Sequence, residues 1–178
     1  MRAWILLIPV MLLAACGTDS TRDAAPRTHF DVGRYADRAG ERIIRGFDRM
    51  EKTVELNDST EHRDLGAPDS ASVAQALAVL RTANVNRPAL LGRYSIEPTE
   101  AGTLYLASDS DLLIRSLWIG ADSSITARTV ERNPLYTALK RIVFVPDSMI
   151  VVRGRQSIPG RDADRYIITT TWRRAPGE

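Results

Sequence analysis

The stretch from Asp31 to Leu56, DVGRYADRAGERIIRGFDRMEKTVEL, decides how the rest of the chain is read. Its apolar positions Val32, Ala36, Ala39, Ile43, Phe47, Met50 and Val54 recur at steps of three and four, with Tyr35 and Ile44 widening the stripe. That period predicts one amphipathic helix over the whole stretch, because residues three and four apart stack on a single helical face. Asp31 stands where an N-cap belongs. The opposite face carries Arg38, Glu41, Arg42, Arg45, Asp48 and Lys52, with Glu41/Arg45 and Asp48/Lys52 spaced as helical ion pairs. Gly40 and Gly46 each weaken an isolated helix by roughly 1 kcal/mol relative to alanine, so the helix needs a surface to pack on.

Downstream, Asn57 to Pro68 is polar and reads as a break. Pro68-Asp69-Ser70 opens a second helical pattern, with Val73, Ala76, Leu77 and Leu80 on one face and Ser72 and Gln75 spaced as a capping box. Pro88 disfavours helix for the residue before it, so this helix should end near Asn84 to Asn86. Short β-branched and aromatic runs then follow, near Leu91–Glu97, Thr103–Ala107, Leu112–Ile119, Ile125–Glu131, Arg141–Val145, Ser148–Arg153 and Arg165–Arg173. The connections between them are too short for crossover helices, so neighbours should pair antiparallel. In the last run Tyr166, Ile168, Thr170 and Trp172 share one face. Asn133 to Lys140 fits either a short helix opened by Asn133 and Pro134 or an extension of the next strand.

The expected fold is therefore α+β: two N-terminal amphipathic helices, in residues 29–87, packed on a six- to seven-stranded antiparallel β-meander in residues 88–178. Residues 29–178 form one domain in this reading, a size that buries a full core without staples.

The start of the chain has a different character. Behind Met1-Arg2 runs an apolar segment from Trp4 to Ala15, interrupted by Pro9 and shorter than the roughly 20 residues a membrane-spanning helix needs. A basic start, a short apolar run and small residues before a break form an export signal, residues 1–15. Leu13-Ala14-Ala15-Cys16 matches, position by position, the Leu, two small residues and Cys of the lipobox, and so resembles that of bacterial lipoproteins. The resemblance implies cleavage before Cys16, a diacylglycerol thioether on its sulfur and acylation of the freed amine. It makes the lipid bilayer a partner through acylated Cys16. Gly17, in the position that influences sorting, leans towards an outer membrane facing the periplasm. Residues 16–28, polar, small and containing Pro26, then read as a lipid-anchored cysteine and flexible tether.

Cys16 is the chain's only cysteine, so a lipidated chain has no thiol left for a disulfide, a metal site or a nucleophile. The formal net charge is +2 with both signs interspersed along the sequence, which argues against nucleic acid as a partner. Only Lys52 and Lys140 are lysine among 24 basic residues. His62, in Asp58-Ser59-Thr60-Glu61-His62-Arg63-Asp64, and His29 with Asp31 are the candidate ligand clusters, and neither has the repeated spacing of a metal site. Asp109/Asp111 and Asp162/Asp164 have the alternating acids of a calcium loop without its glycine and terminal glutamate. Gly-x-Ser-x-Gly, Ser-x-x-Lys and a glycine-rich phosphate cradle are all missing, and no cofactor is expected.

Tyr105, Trp118 and Trp172, on predicted strands, are candidates to line an apolar pocket on a curved sheet. The functional reading is a membrane-anchored envelope lipoprotein acting as a non-catalytic binding or accessory module, with an envelope protein or an apolar ligand as partner. The alternative is a periplasmic hydrolase with an active site outside known motifs, carried by acids or by His62.

Overall fold

A computed structural model describes residues 29–174. The export signal, Cys16 and the tether lie outside the described residues.

The first helix is shorter than its apolar period suggests. α1 spans Val32–Gly46, and the Asp31 carboxylate caps it by accepting from the Arg34 N–H at 3.0 Å. It buries Val32, Tyr35, Ala36, Ala39 and Ile43, the expected stripe. The backbone turns extended at Phe47, and the chain continues as strand β1, Arg49–Leu56. A two-residue turn at Asn57 and Asp58, with Asn57 at φ +49°, then leads into β2, Ser59–Gly66. The single helix to Leu56 and the polar break after it are thus corrected to a helix followed by a β-hairpin. The reason is tertiary. β1 lies between β2 and the last strand and pairs along its length with both, which an isolated helix end cannot match.

α2, Ser70–Thr82, follows. Its capping box is made by Asp69 and Ser72, one turn earlier than the Ser72/Gln75 spacing suggested, and Val73, Leu77 and Leu80 are buried. After a 3-10 turn at Pro88–Leu90 come β3 (Tyr94–Thr99), β4 (Gly102–Ala107), β5 (Ile114–Gly120), β6 (Ile125–Arg132), β7 (Thr137–Val145), β8 (Met149–Ser157) and β9 (Asp164–Arg173). The ambiguous segment 133–140 resolves into a turn and the start of β7. The Asn133 side-chain oxygen Oδ1 accepts from the Leu135 and Tyr136 N–H groups at 2.9 Å, so it closes a turn and caps no helix.

All strands join one antiparallel sheet in the order β2-β1-β9-β8-β7-β6-β5-β4-β3. The expected six- to seven-stranded meander behind two N-terminal helices is corrected accordingly: among the described residues the sheet has nine strands, and the β1–β2 hairpin separates the helices in sequence. This hairpin extends the meander past β9, so the first strand of the chain lies beside the last.

Both helices pack on one face of the sheet. The cross-strand row Val54-Ile168-Val152-Ile142-Ala127-Leu117-Tyr105-Ile96 runs through the centre of that inner face. Tyr35 of α1 meets Phe144 edge-on at 6.0 Å between ring centroids, and Phe144 packs on Trp172. Leu77, Leu80, Leu117, Ile125, Ile142 and Phe144 are fully buried, each worth about 1.5–3 kcal/mol of burial. The helices are tied together by Arg81, whose Nε and Nη2 donate to Asp37, and by Asn84, which donates to the capping Asp31. Both helices, the nine strands and the hydrophobic core between them all lie within residues 29–174, and a segment that holds its own core can fold alone.

The two edge strands are protected from further pairing in different ways. β2 is exposed and charged through Glu61, His62, Arg63 and Asp64, and β3 carries Pro98.

Candidate functional site

Between α2 and the β1, β9, β8 and β7 portion of the inner face lies a cavity of about 220 Å³. Ala76 and Val79 of α2, Met50 of β1, Leu65 of β2, and Ile150, Val152 and Ile168 of the sheet form its apolar wall. Its polar groups are Lys52, Lys140, Tyr166, Thr170, Ser72 and Gln75. No carboxylate, histidine or cysteine lines it among the described residues.

The sheet register puts the two lysines there. Lys52 faces inward in the row Lys52-Thr170-Ile150-Phe144, between Met50 and Val54 on the same face of β1. Lys140 faces inward in the row Leu56-Tyr166-Gly154-Lys140-Thr129. β9 and β8 stand between their strands, roughly 14 Å at ~4.8 Å per strand, and Lys140 lies four residues along β7 from the Lys52 row, roughly a further 13 Å at ~3.3 Å per residue. They therefore approach the cavity from opposite sides. Lys52, Leu65, Ser72 and Gln75 also line an adjoining hollow with Glu61 and Arg63, which continues the cavity between α2 and the β1–β2 hairpin.

None of the ion pairs among the described residues includes either lysine. Both are half-buried. An ammonium group beside apolar surface without a counter-charge keeps only part of its hydration, so an arriving anion meets little competition.

Gly154 shapes the floor. A Cβ at this position would fall far inside van der Waals contact with the Tyr166 ring, so the ring lies directly across the glycine backbone. Only glycine leaves that room, which places the ring beside Lys140 in the same cross-strand row. Burial raises the Tyr166 phenol above its ordinary value, so it stays protonated at neutral pH and offers an O–H donor to the cavity.

The other candidates are placed elsewhere. Tyr105 and Trp172 face the inner core, whereas Trp118 lies on the outer face, packed over Gly102. Tyr105 accepts a hydrogen bond from the Phe30 N–H at 3.3 Å and meets His29 edge-on. The three aromatics therefore do not enclose one pocket, because Leu117 rather than Trp118 shares the inner row with Tyr105. His62 is exposed on the edge strand, its Nδ1 3.2 Å from the Thr53 hydroxyl. His29 is buried between Tyr94 and Tyr105, and Asp31 is the helix cap, so neither forms a ligand pair. Asp109 and Asp111 both face Arg93, at 2.7 and 3.5 Å. Asp164 accepts from Asn57. No group of three or more metal-ligating side chains is present among the described residues.

The sequence contained one signal for this cavity, the rarity of lysine. Two lysines among many arginines fall on the same face of one sheet and on the same cavity.

No family model matches this chain, and no curated protein matches it. Among solved structures, an S-type phycobiliprotein lyase from Guillardia theta is similar over 85% of this chain and 96% of that one, at 14% identity and a TM-score of 0.32. A likeness that slight carries no argument about ligand or activity.

Proposed function

We propose that this chain is a lipid-anchored envelope protein whose domain binds a small amphiphile with an acidic head, without catalysing a reaction. The observation that carries the reading is the placement of Lys52 and Lys140, both without an acidic partner, on the apolar cavity under α2. The apolar wall receives a short hydrocarbon chain, and an ammonium group receives the carboxylate as a charge-assisted hydrogen bond. Tyr166 and Gln75 supply further donors. At about 220 Å³ the cavity is smaller than the roughly 300–1,000 Å³ of most small-molecule pockets, so it takes a short chain or the head-proximal part of a longer one. Among the described residues no carboxylate, histidine or cysteine lines the cavity, which supports binding over hydrolysis.

Membrane attachment in this reading rests on the lipobox at Leu13 to Cys16, with the tether holding the domain off an outer membrane on its periplasmic side. The binding claim is tested by calorimetric titration of octanoate into wild type, Lys52→Met and Lys140→Met. Methionine keeps the unbranched stem and removes the charge. The expected result is octanoate affinity about tenfold or more weaker in one of the two variants, the one whose lysine receives the single carboxylate, the worth of one charge-assisted hydrogen bond. Undiminished affinity in both variants would overturn the reading.

A further inference from the structure

The outer face of the sheet carries a different chemistry. Arg128, Arg141 and Arg153 stand directly opposite one another on β6, β7 and β8, and in the next row Arg155 stands opposite Arg165 on β9. All five are exposed, and none takes part in an ion pair among the described residues. With Arg115, which donates to the Asp109 carbonyl, they line an open groove of about 530 Å³. The acid in the first row is Glu55 of β1, and Ile167 separates it from Arg153.

The charge that looks dispersed along the sequence is therefore concentrated in space. Arginines ten to thirteen positions apart become neighbours because each hairpin returns the chain to the same row. The interspersed charge that argues against nucleic acid in the sequence is not interspersed on this face. Like charges directly opposite on adjacent strands destabilise a sheet, so the arrangement calls for an external counter-charge.

We propose that this face binds the phosphate groups of an anionic lipid surface. Guanidinium forks match phosphate oxygens two at a time. Apolar side chains accompany them: Leu139, 44% exposed, stands between Val130 and Arg155 in the second row, and Leu135, 76% exposed, tops the β6–β7 turn at that end of the sheet. At a bilayer interface leucines enter below the headgroups while arginines stay at the phosphates. A nucleic-acid backbone would leave those leucines in water. The arginines stand on the opposite side of the sheet from the cavity, though Lys140 and Tyr166 line both hollows, and the inference does not depend on Cys16.

The test uses residues 29–178, which contain the whole folding unit and lack the anchor. Co-sedimentation is measured with vesicles of phosphatidylcholine alone and of phosphatidylcholine mixed with phosphatidylglycerol, and duplex DNA and tripolyphosphate are titrated separately. The expected result is binding to the mixed vesicles only, falling about fivefold for each of Arg141→Gln and Arg153→Gln. It disappears when salt shortens the screening length to about 3 Å. Arg34→Gln and Arg38→Gln, on the exposed face of α1, remove the same net charge and should bind nearly as wild type. Equal binding to both vesicle types, equal loss in the α1 variants, or binding to DNA or tripolyphosphate without binding to vesicles would overturn the proposal. Circular dichroism confirms that each variant is folded.

Discussion

Replacing Gly154 by alanine tests how the cavity floor is built. The added methyl would occupy the position of the Tyr166 ring. Tyr166 must leave the row or the strands must part, and overpacking of this kind costs about 1–3 kcal/mol. Taking about 2 kcal/mol, a domain of this size loses roughly 4–8 °C in Tm. The diagnostic quantity is the coupling with Tyr166→Ala, measured by urea denaturation of the two single variants and the double variant. Once the ring is gone the methyl has room, so Gly154→Ala should cost close to nothing in that background, giving a coupling energy of about 2 kcal/mol. Additive costs, with coupling under ~0.5 kcal/mol, would show that the ring does not lie over the glycine and would refute this account of the floor.

Other expectations follow from single groups. The Asp69 carboxyl is held below its ordinary value mainly by the Ser72 N–H, with a further bond from the Ala71 N–H. A depressed folded value stabilises above the unfolded value of about 3.9 and loses that stabilisation as pH falls through the folded value. The Tm advantage of wild type over Asp69→Asn should therefore shrink on acidification through that window, and a constant difference would contradict it. His62→Ala should change stability by less than about 0.5 kcal/mol and leave octanoate affinity unaltered, since His62 is exposed on the edge strand away from the cavity. Loss of binding in that variant would favour a site involving His62.

The strands after Pro88 were legible because turn residues separate them, and α2 because Pro68 and Asp69 mark its start. The hairpin at 49–66 was not, for reasons that can be named. In β1 the inward positions are Met50, Lys52, Val54 and Leu56, and the lysine breaks the period-two pattern that announces a strand. Phe47, Met50 and Val54 meanwhile fit the helical period as well. The residue that hides the strand is one of the two that give the cavity its charge. β2 hides for another reason: as an edge strand it is polar on both faces except at Leu65. The arginine face was invisible because it depends on register, which no single strand encodes. Tyr105 and Trp118 looked alike as aromatic strand residues, but their faces are set by the pairing of Tyr105 with Leu117.

The central claim is that the cavity recognises an acid group as well as a chain. The most direct measurement compares the affinity of the wild-type protein for octanoate and for octanol, two ligands of equal chain length that differ in the charge of the head. The account predicts that octanoate binds about tenfold or more tightly, and that the advantage vanishes in the Lys52→Met/Lys140→Met double variant. Equal affinities for the acid and the alcohol in the wild-type protein would contradict it.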